Sequence, residues 1–148
     1  MPSFTRNINL ISRCGNAYRG DGLEGSGLSA AHYFYILALC NCPGLSQEQL
    51  ARRLYLNKSS VARAIATLER DGFVERVPNA EDKRVLLLHP TEKALALLPR
   101  VREVSQRWNA FLLSDLSDEE REAFLITLEK VSRKARSYID ERPEEDDQ

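Results

Sequence analysis

"SQEQLARRLYLNKSSVARAIATLERDGFVERV", residues 46–77, changes its hydrophobic period once, and that change decides the fold. Ser46 with Gln49 three residues later is a capping-box pattern that opens a short helix through "QLARRLY". Asn57 is a good N-cap for a second helix over about 58–71, and Gly72 can take the left-handed conformation that ends it. A turn of about four residues, "YLNK", separates the two helices, which is a helix-turn-helix arrangement. After Gly72 the period drops to two. "FVERV" alternates apolar and charged side chains as a half-buried strand does, "PNAEDK" is a turn, and "RVLLLH" is a second strand. Strand, turn and strand directly after the second helix form a wing.

Outward from this core the signals are helical. Ile8, Ile11, Cys14 and Tyr18 share one helix face that must end by "RGDGLEGSG". Ser29 is an N-cap candidate for "AAHYFYILALC", and Pro43-Gly44 stops that helix. Beyond the hairpin, Thr91 caps a helix in which Leu97, Val101, Val104, Trp108 and Phe111 step by four and three. Pro99 should kink this helix unless the helix begins there. Ser117 and Glu120 form another capping box, followed by a second seam of Phe124, Leu128, Val131, Ala135 and Tyr138. Paired seams suggest a bundle, formed within the chain or between two chains. The fold class expected is mainly α with a small β-hairpin (α+β).

Composition excludes several classes. Of 148 residues 43% are hydrophobic and 29% charged, ordinary for a soluble domain. The densest apolar run, residues 30–42, contains His32 and Asn41 and is too short for a membrane helix, so no membrane partner is expected. "MPSFTRNINL" has no apolar signal segment, and three cysteines do not make a disulfide framework, which points to a reducing cytoplasm. Cys40 and Cys42 are too close for a zinc pair, and only His32 and His89 could complete a site, so no metal or cofactor is expected. No catalytic Ser/His/Asp order and no glycine-rich phosphate loop is present, so no catalytic residues are assigned and no enzyme is expected. The formal net charge is −1; residues 140–147 hold six acids against one Arg, a local −5, which leaves +4 on the remainder.

Winding residues 58–71 at about 100° per residue puts Val61, Ala64, Ile65 and Leu68 on one side. The opposite side carries Ser59, Arg63, Ala66 and Arg70, with Ser60 and Thr67 beside them and Glu69 and Asp71 on the flanks. That face is basic, hydroxylic and small. Small residues allow close approach to a DNA groove, hydroxyls donate to phosphates or bases, and Arg can bind guanine bidentately. Lys58 stands at a helix N-terminus, itself an anion site. In the wing, Arg84 lies close to the tip, where a guanidinium could enter a narrow minor groove. Asp82, on the same face if this stretch is strand-like, can hold that guanidinium in one orientation.

The ordered set S-x-x-x-L-A, N-K-S-S-V-x-R, L-E-R-D-G-F-V-E-R, D-K-R and T-E-K-A resembles the winged-helix core of the MarR family of bacterial transcriptional regulators, over about residues 28–95. The resemblance implies a homodimer with interlocked terminal helices that binds palindromic double-stranded DNA. Such a protein would be a repressor released by a small lipophilic or phenolic effector, or by cysteine oxidation. It implies that Ser59, Ser60 and Arg63 read the groove and that Asp82 and Arg84 are the wing's D-x-R motif; Gln47 and Lys58 are added as phosphate contacts. The expected domains are 28–91 for DNA binding, 1–27 with 92–139 for dimerisation, and 140–148 as a disordered acidic tail. The recognition helix is then about 58–71 and the wing about 73–89. Ile8, Ile11, Leu128, Val131, Ala135 and Tyr138 form the expected dimer interface, and His32, Tyr33 and Tyr35 the expected effector pocket. Cys14 shares its face with Ile11 and Tyr18 and is expected to be buried, with a redox-sensing role as the alternative. A protein-interaction module is the remaining alternative, since winged helices can bind proteins.

Overall fold

The computed structural model describes residues 3–141. Its elements are α1 Phe4–Gly22, α2 Tyr33–Asn41, α3 Gln47–Leu54, α4 Lys58–Arg70, β1 Val74–Pro78, β2 Leu86–Pro90, α5 Glu92–Leu112 and α6 Asp118–Asp140. The expected class, mainly α with one antiparallel hairpin, is borne out. The chain falls into two compact units, Met1–Asn109 and Ala110–Gln148. Past Glu141 the acidic run expected as a tail lies outside the described residues.

Local chemistry sets the ends of the elements. Ser46 accepts from the Gln49 amide while the Gln49 side chain accepts from the Ser46 amide, closing the capping box that starts α3. α3 ends on Tyr55, a non-glycine residue at φ 56°, so three residues rather than four separate it from α4. The Asn57 carboxamide accepts from the Ser60 amide at 2.7 Å and from the Ser59 hydroxyl at 3.0 Å, fixing the first turn of α4. Gly72, at φ 81°, follows the C-cap Asp71, as its place in the sequence requires.

The first unit has one core. Val61, Ala64, Ile65 and Leu68 from α4 join Ile36, Leu39, Leu50, Phe73, Val74 and Leu88 in a single buried cluster. Full burial of side chains of this size contributes roughly 1.5–3 kcal/mol each. The hairpin runs from the register pair Val74 with Pro90 to Pro78 with Leu86. Leu45 bridges Leu88, with the Leu88 amide donating to the Leu45 carbonyl at 2.8 Å, so the buried edge of β2 is also paired. Thr91 donates its hydroxyl to the Gly72 carbonyl at 2.6 Å, and Lys93 donates to the Asp71 carbonyl at 2.7 Å. These bonds tie the end of α4 to the start of α5. Arg100 donates to the carbonyls of Gly22 and Glu24 at 2.9 Å each, placing a cation on the negative end of α1.

Three local expectations change. α2 begins at Tyr33 with His32 as its N-cap, because the Ser29 carbonyl is used in a tight turn to the His32 amide at 3.0 Å. β2 begins at Leu86 instead of Arg84, because the Val85 amide turns back to the Asp82 carbonyl at 2.9 Å. α5 starts at Glu92 and runs on through Pro99. In the second unit, Ser117 and Glu120 close their capping box, and α6 buries none of its side chains within the chain. Its Phe124, Leu125, Ile126, Val131, Tyr138 and Ile139 are exposed.

A Cβ at position 72 would meet nothing closer than Lys93 Cδ at 3.8 Å, so the cost of a side chain there is conformational. Gly72→Ala should lower unfolding free energy by about 1–2 kcal/mol, measured by urea denaturation. An unchanged midpoint would show that the joint does not depend on the left-handed conformation.

Candidate nucleic-acid interface

The buried face of α4 decides what its other face presents. With Val61, Ala64, Ile65 and Leu68 in the core, Ser59 and Arg63 are exposed while Ser60 and Thr67 are half-buried. Asn57 holds the Ser59 hydroxyl, and Arg63 donates to the Ser60 hydroxyl at 3.4 Å, so the first two turns form one ordered polar surface. Lys58 lies 4.0 Å from Glu48, which also binds Arg52 at 3.1 Å, so its charge is shared with a carboxylate on α3. Gln47, half-buried in the first turn of α3, keeps its Oε1 away from solvent with no donor among the described residues.

At the wing tip the Asp82–Arg84 pair forms, though not by strand alternation. Asp82 Oδ1 accepts from the Arg84 amide at 3.1 Å and from Nε at 3.0 Å, while Oδ2 accepts from Nη2 at 3.1 Å. The Arg84 side chain is 90% exposed and Asp82 42%, so the carboxylate sits under the guanidinium and leaves its outer edge to solvent. The Asn79 side chain accepts from the Glu81 amide at 2.9 Å, and the Asn79 amide donates to the Val85 carbonyl at 2.8 Å, closing the base of the turn. The side-chain bonds from Arg84, then its amide, hold the Asp82 carboxyl below its ordinary value, and Asp82 holds Arg84 up.

The three aromatic residues assigned to a pocket separate. His32 and Tyr35 meet edge-on at 5.9 Å and, with Ala31, Ser60, Arg63 and Ala64, line a cleft of about 300 Å³ against α4. Burial holds His32 below the ordinary imidazole value, against an opposing pull from Asp71, so the ring is neutral at pH 7. Tyr33 instead packs under the Arg19 guanidinium, 4.4 Å from the ring centroid. Another cleft, about 430 Å³, lies between α1 and α5 and is lined by Tyr18, Asp21, Arg100, Glu103 and Arg107 among others. Cys14, expected to be buried, is exposed. The residue of that turn which packs inward is Gly15, where a Cβ would come within 3.0 Å of the Trp108 indole nitrogen. Among the described residues no group of three or more His, Cys, Asp or Glu side chains could hold a metal ion.

One interaction escaped the sequence reading: Arg76 on β1 donates to Glu69 on α4 at 2.9 Å. The helical wheel put Glu69 on a flank and strand alternation gave Arg76 no partner. Only the docking angle of hairpin on helix brings them together.

The bidentate pair has a direct spectroscopic consequence. Because the Asp82 carboxyl is depressed, the brace is intact above the usual Asp range and is lost only as pH falls through the lowered value. In an NMR carboxyl titration Asp82 should titrate below a model Asp in the wild type and return toward it in Arg84→Ala. An Asp82 titration indifferent to Arg84 would remove the brace.

The family model described as MarR family matches residues 26–85. The chain is 29% identical to the HTH-type transcriptional regulator YybA of Bacillus subtilis (strain 168), which is itself uncharacterised, over 90% of this chain and 89% of that one. The structure of the transcriptional regulator SlyA superposes with a TM-score of 0.87 at 26% identity, covering 91% of this chain and 95% of that one. A MarR-type protein from Listeria monocytogenes complexed with 26mer DNA superposes with a TM-score of 0.84 at 26% identity, over 93% and 91%. Motifs, the family model over residues 26–85 and whole-chain superposition agree in likening the chain to the MarR family of winged-helix transcriptional regulators.

Proposed function

We propose that the chain is a cytoplasmic homodimeric repressor that binds a palindromic operator. The α4 helix would lie in the major groove and the wing at the flanking minor groove. The observation that carries this is the division of α4, whose apolar face is buried while exposed Ser59 and Arg63 and half-buried Ser60 form an ordered polar face at a capped N-terminus. The braced Arg84 supports the wing contact, since a preoriented guanidinium loses less entropy on docking. The Listeria relative complexed with 26mer DNA supports DNA binding by this fold. Thr67, Gln47 and Lys58 lie at the edges of this surface and are assigned to phosphate contact. In this reading residues 28–91 bind DNA, and residues 1–27 with 92–139 dimerise.

Exposed apolar side chains support dimerisation. Phe4, Ile8, Leu10 and Ile11 on α1 are exposed, as are Val131 and Tyr138 on α6. Ala135 is exposed and Leu128 half-buried on the same seam. Such surface is costly in water unless a second copy covers it. Cys14 shares the face of Ile8 and Ile11, so the proposed partner covers it, which favours packing over redox sensing. A small phenolic or lipophilic effector in the cleft of His32 and Tyr35 would occupy Ser60 and Arg63 and so compete with DNA.

Arg63→Ala should relax base preference at one position per half-site, by roughly 1–3 kcal/mol. Arg84→Ala should weaken binding with little sequence bias, and Asp82→Ala should weaken it too, although that change removes a negative charge. Anisotropy titrations on an operator selected from random DNA, at several salt concentrations, measure all three. Unchanged affinity in both arginine variants would sink the contact assignment, and selection of no palindrome would favour a protein-binding winged helix. Val131→Glu should run as a monomer, or fail to fold, in size-exclusion chromatography; a well-folded dimer would refute the seam.

A further inference from the structure

The wing leaves α4 through residues 71–73, where Gly72 sits at φ 81°. Thr91 and Lys93 secure this joint to α5, and buried Val74 and Leu88 with the Leu45 bridge hold the near end of the hairpin, but none of these reaches its outer half. On β1, Val74 is buried, Glu75 exposed and Arg76 half-buried. Alternation puts Val74 and Arg76 on the same face, the one turned toward the core, so a cation occupies a position suited to an apolar side chain. Its side chain is 25% exposed, against 64% for Arg52, 72% for Arg70 and 90% for Arg84 in their ion pairs. The Arg76 Nε is 2.9 Å from Glu69 Oε2 on the last turn of α4. Glu69 is 44% exposed, so the shielding lies at the Arg76 end, where water competes less for the guanidinium than it does at the wing tip.

We propose that Glu69 and Arg76 form a strut that sets the angle of the wing against the recognition helix, making both positioning residues for DNA binding. The inference rests on the DNA-binding reading above. It reverses the sign expected from charge alone. A carboxylate on the flank of a DNA-reading helix repels phosphate, so its removal should tighten binding. If Arg76 were itself a phosphate contact, its loss should weaken binding while loss of Glu69, which competes for it, should strengthen it. A strut requires both losses to weaken binding, because either one loosens the outer half of the hairpin, beyond core-held Val74 and Leu88, against α4. The weakening should fall on the wing's contacts, since α4 remains fixed by its buried face.

The test uses the full-length protein and the selected operator, with wild type, Glu69→Ala, Glu69→Gln, Arg76→Ala and the double swap Glu69→Arg/Arg76→Glu. Anisotropy gives affinity and hydroxyl-radical footprinting separates outer minor-groove from central protection. Each alanine variant should bind about 3- to 10-fold more weakly, a size common for coupled neighbours. The outer protection should fade while the central protection persists. The double swap should recover most of the affinity and the outer footprint, which a general loss of stability would not allow. Glu69→Gln keeps the side-chain volume and should show a smaller loss of the same pattern, so the question stays open to measurement even if an alanine variant does not fold. Tighter binding by Glu69→Ala, uniform loss of the whole footprint, or strictly additive effects in the swap would overturn the strut. Failure of the wild type to bind DNA in a salt-dependent way would instead overturn the DNA-binding reading, and the strut with it.

Discussion

The structure depends on the burial of one side of α4. Val61, Ile65 and Leu68 are at most 1% exposed, so the helix cannot rotate about its axis without losing its share of the core. Loss of one such side chain typically costs 2–5 kcal/mol, comparable to the whole stability margin of a small domain. The orientation of the polar face is therefore secured by packing on the opposite side, and Arg63 and Ser60 need no support beyond the bonds along their own helix. The hairpin is held by the same core, through Phe73, Val74 and Leu88.

Two carboxylates beside the candidate DNA surface each bind an arginine of the hairpin. Asp82 lies under Arg84 at the tip, and Glu69 meets Arg76 nearer the base. For a surface of cations meeting a polyanion this sacrifices charge. The compensation is geometric: a long guanidinium side chain carries about 2 kcal/mol of rotamer entropy, much of which is lost on docking unless it is already ordered. At the exposed tip the brace orders the guanidinium proposed to contact DNA. At the half-buried base the pair links one element to another.

Much of the architecture was legible in the sequence, and unevenly so for physical reasons. Capping boxes at Ser46 and Ser117, the N-cap at Asn57 and the turn at Gly72 are local devices, in which the side chain and the backbone group it satisfies lie within a few residues. The heptad-like seams were equally visible, but the same pattern had different outcomes. On α5, Val101 and Val104 are buried and Leu97 packs on the core, with the Trp108 ring tilted against Tyr18 at 5.2 Å between centroids. On α6 no seam residue is buried among the described residues. Periodicity reports which side chains share a face; it does not report what that face meets.

The sequence by itself determined the kind and order of the elements, the two faces of α4 and the Asp82–Arg84 pair, because each depends on spacing along a short stretch. Tertiary structure decided that Cys14 is exposed while Gly15 packs under Trp108, that His32 and Tyr35 share a cleft with Ser60 and Arg63, and that Arg76 finds Glu69. Each of these depends on the rotation of a helix or the docking angle of a hairpin. Those angles are set by how the buried side chains of several elements interdigitate at native density, a property of the assembled core that no single stretch contains.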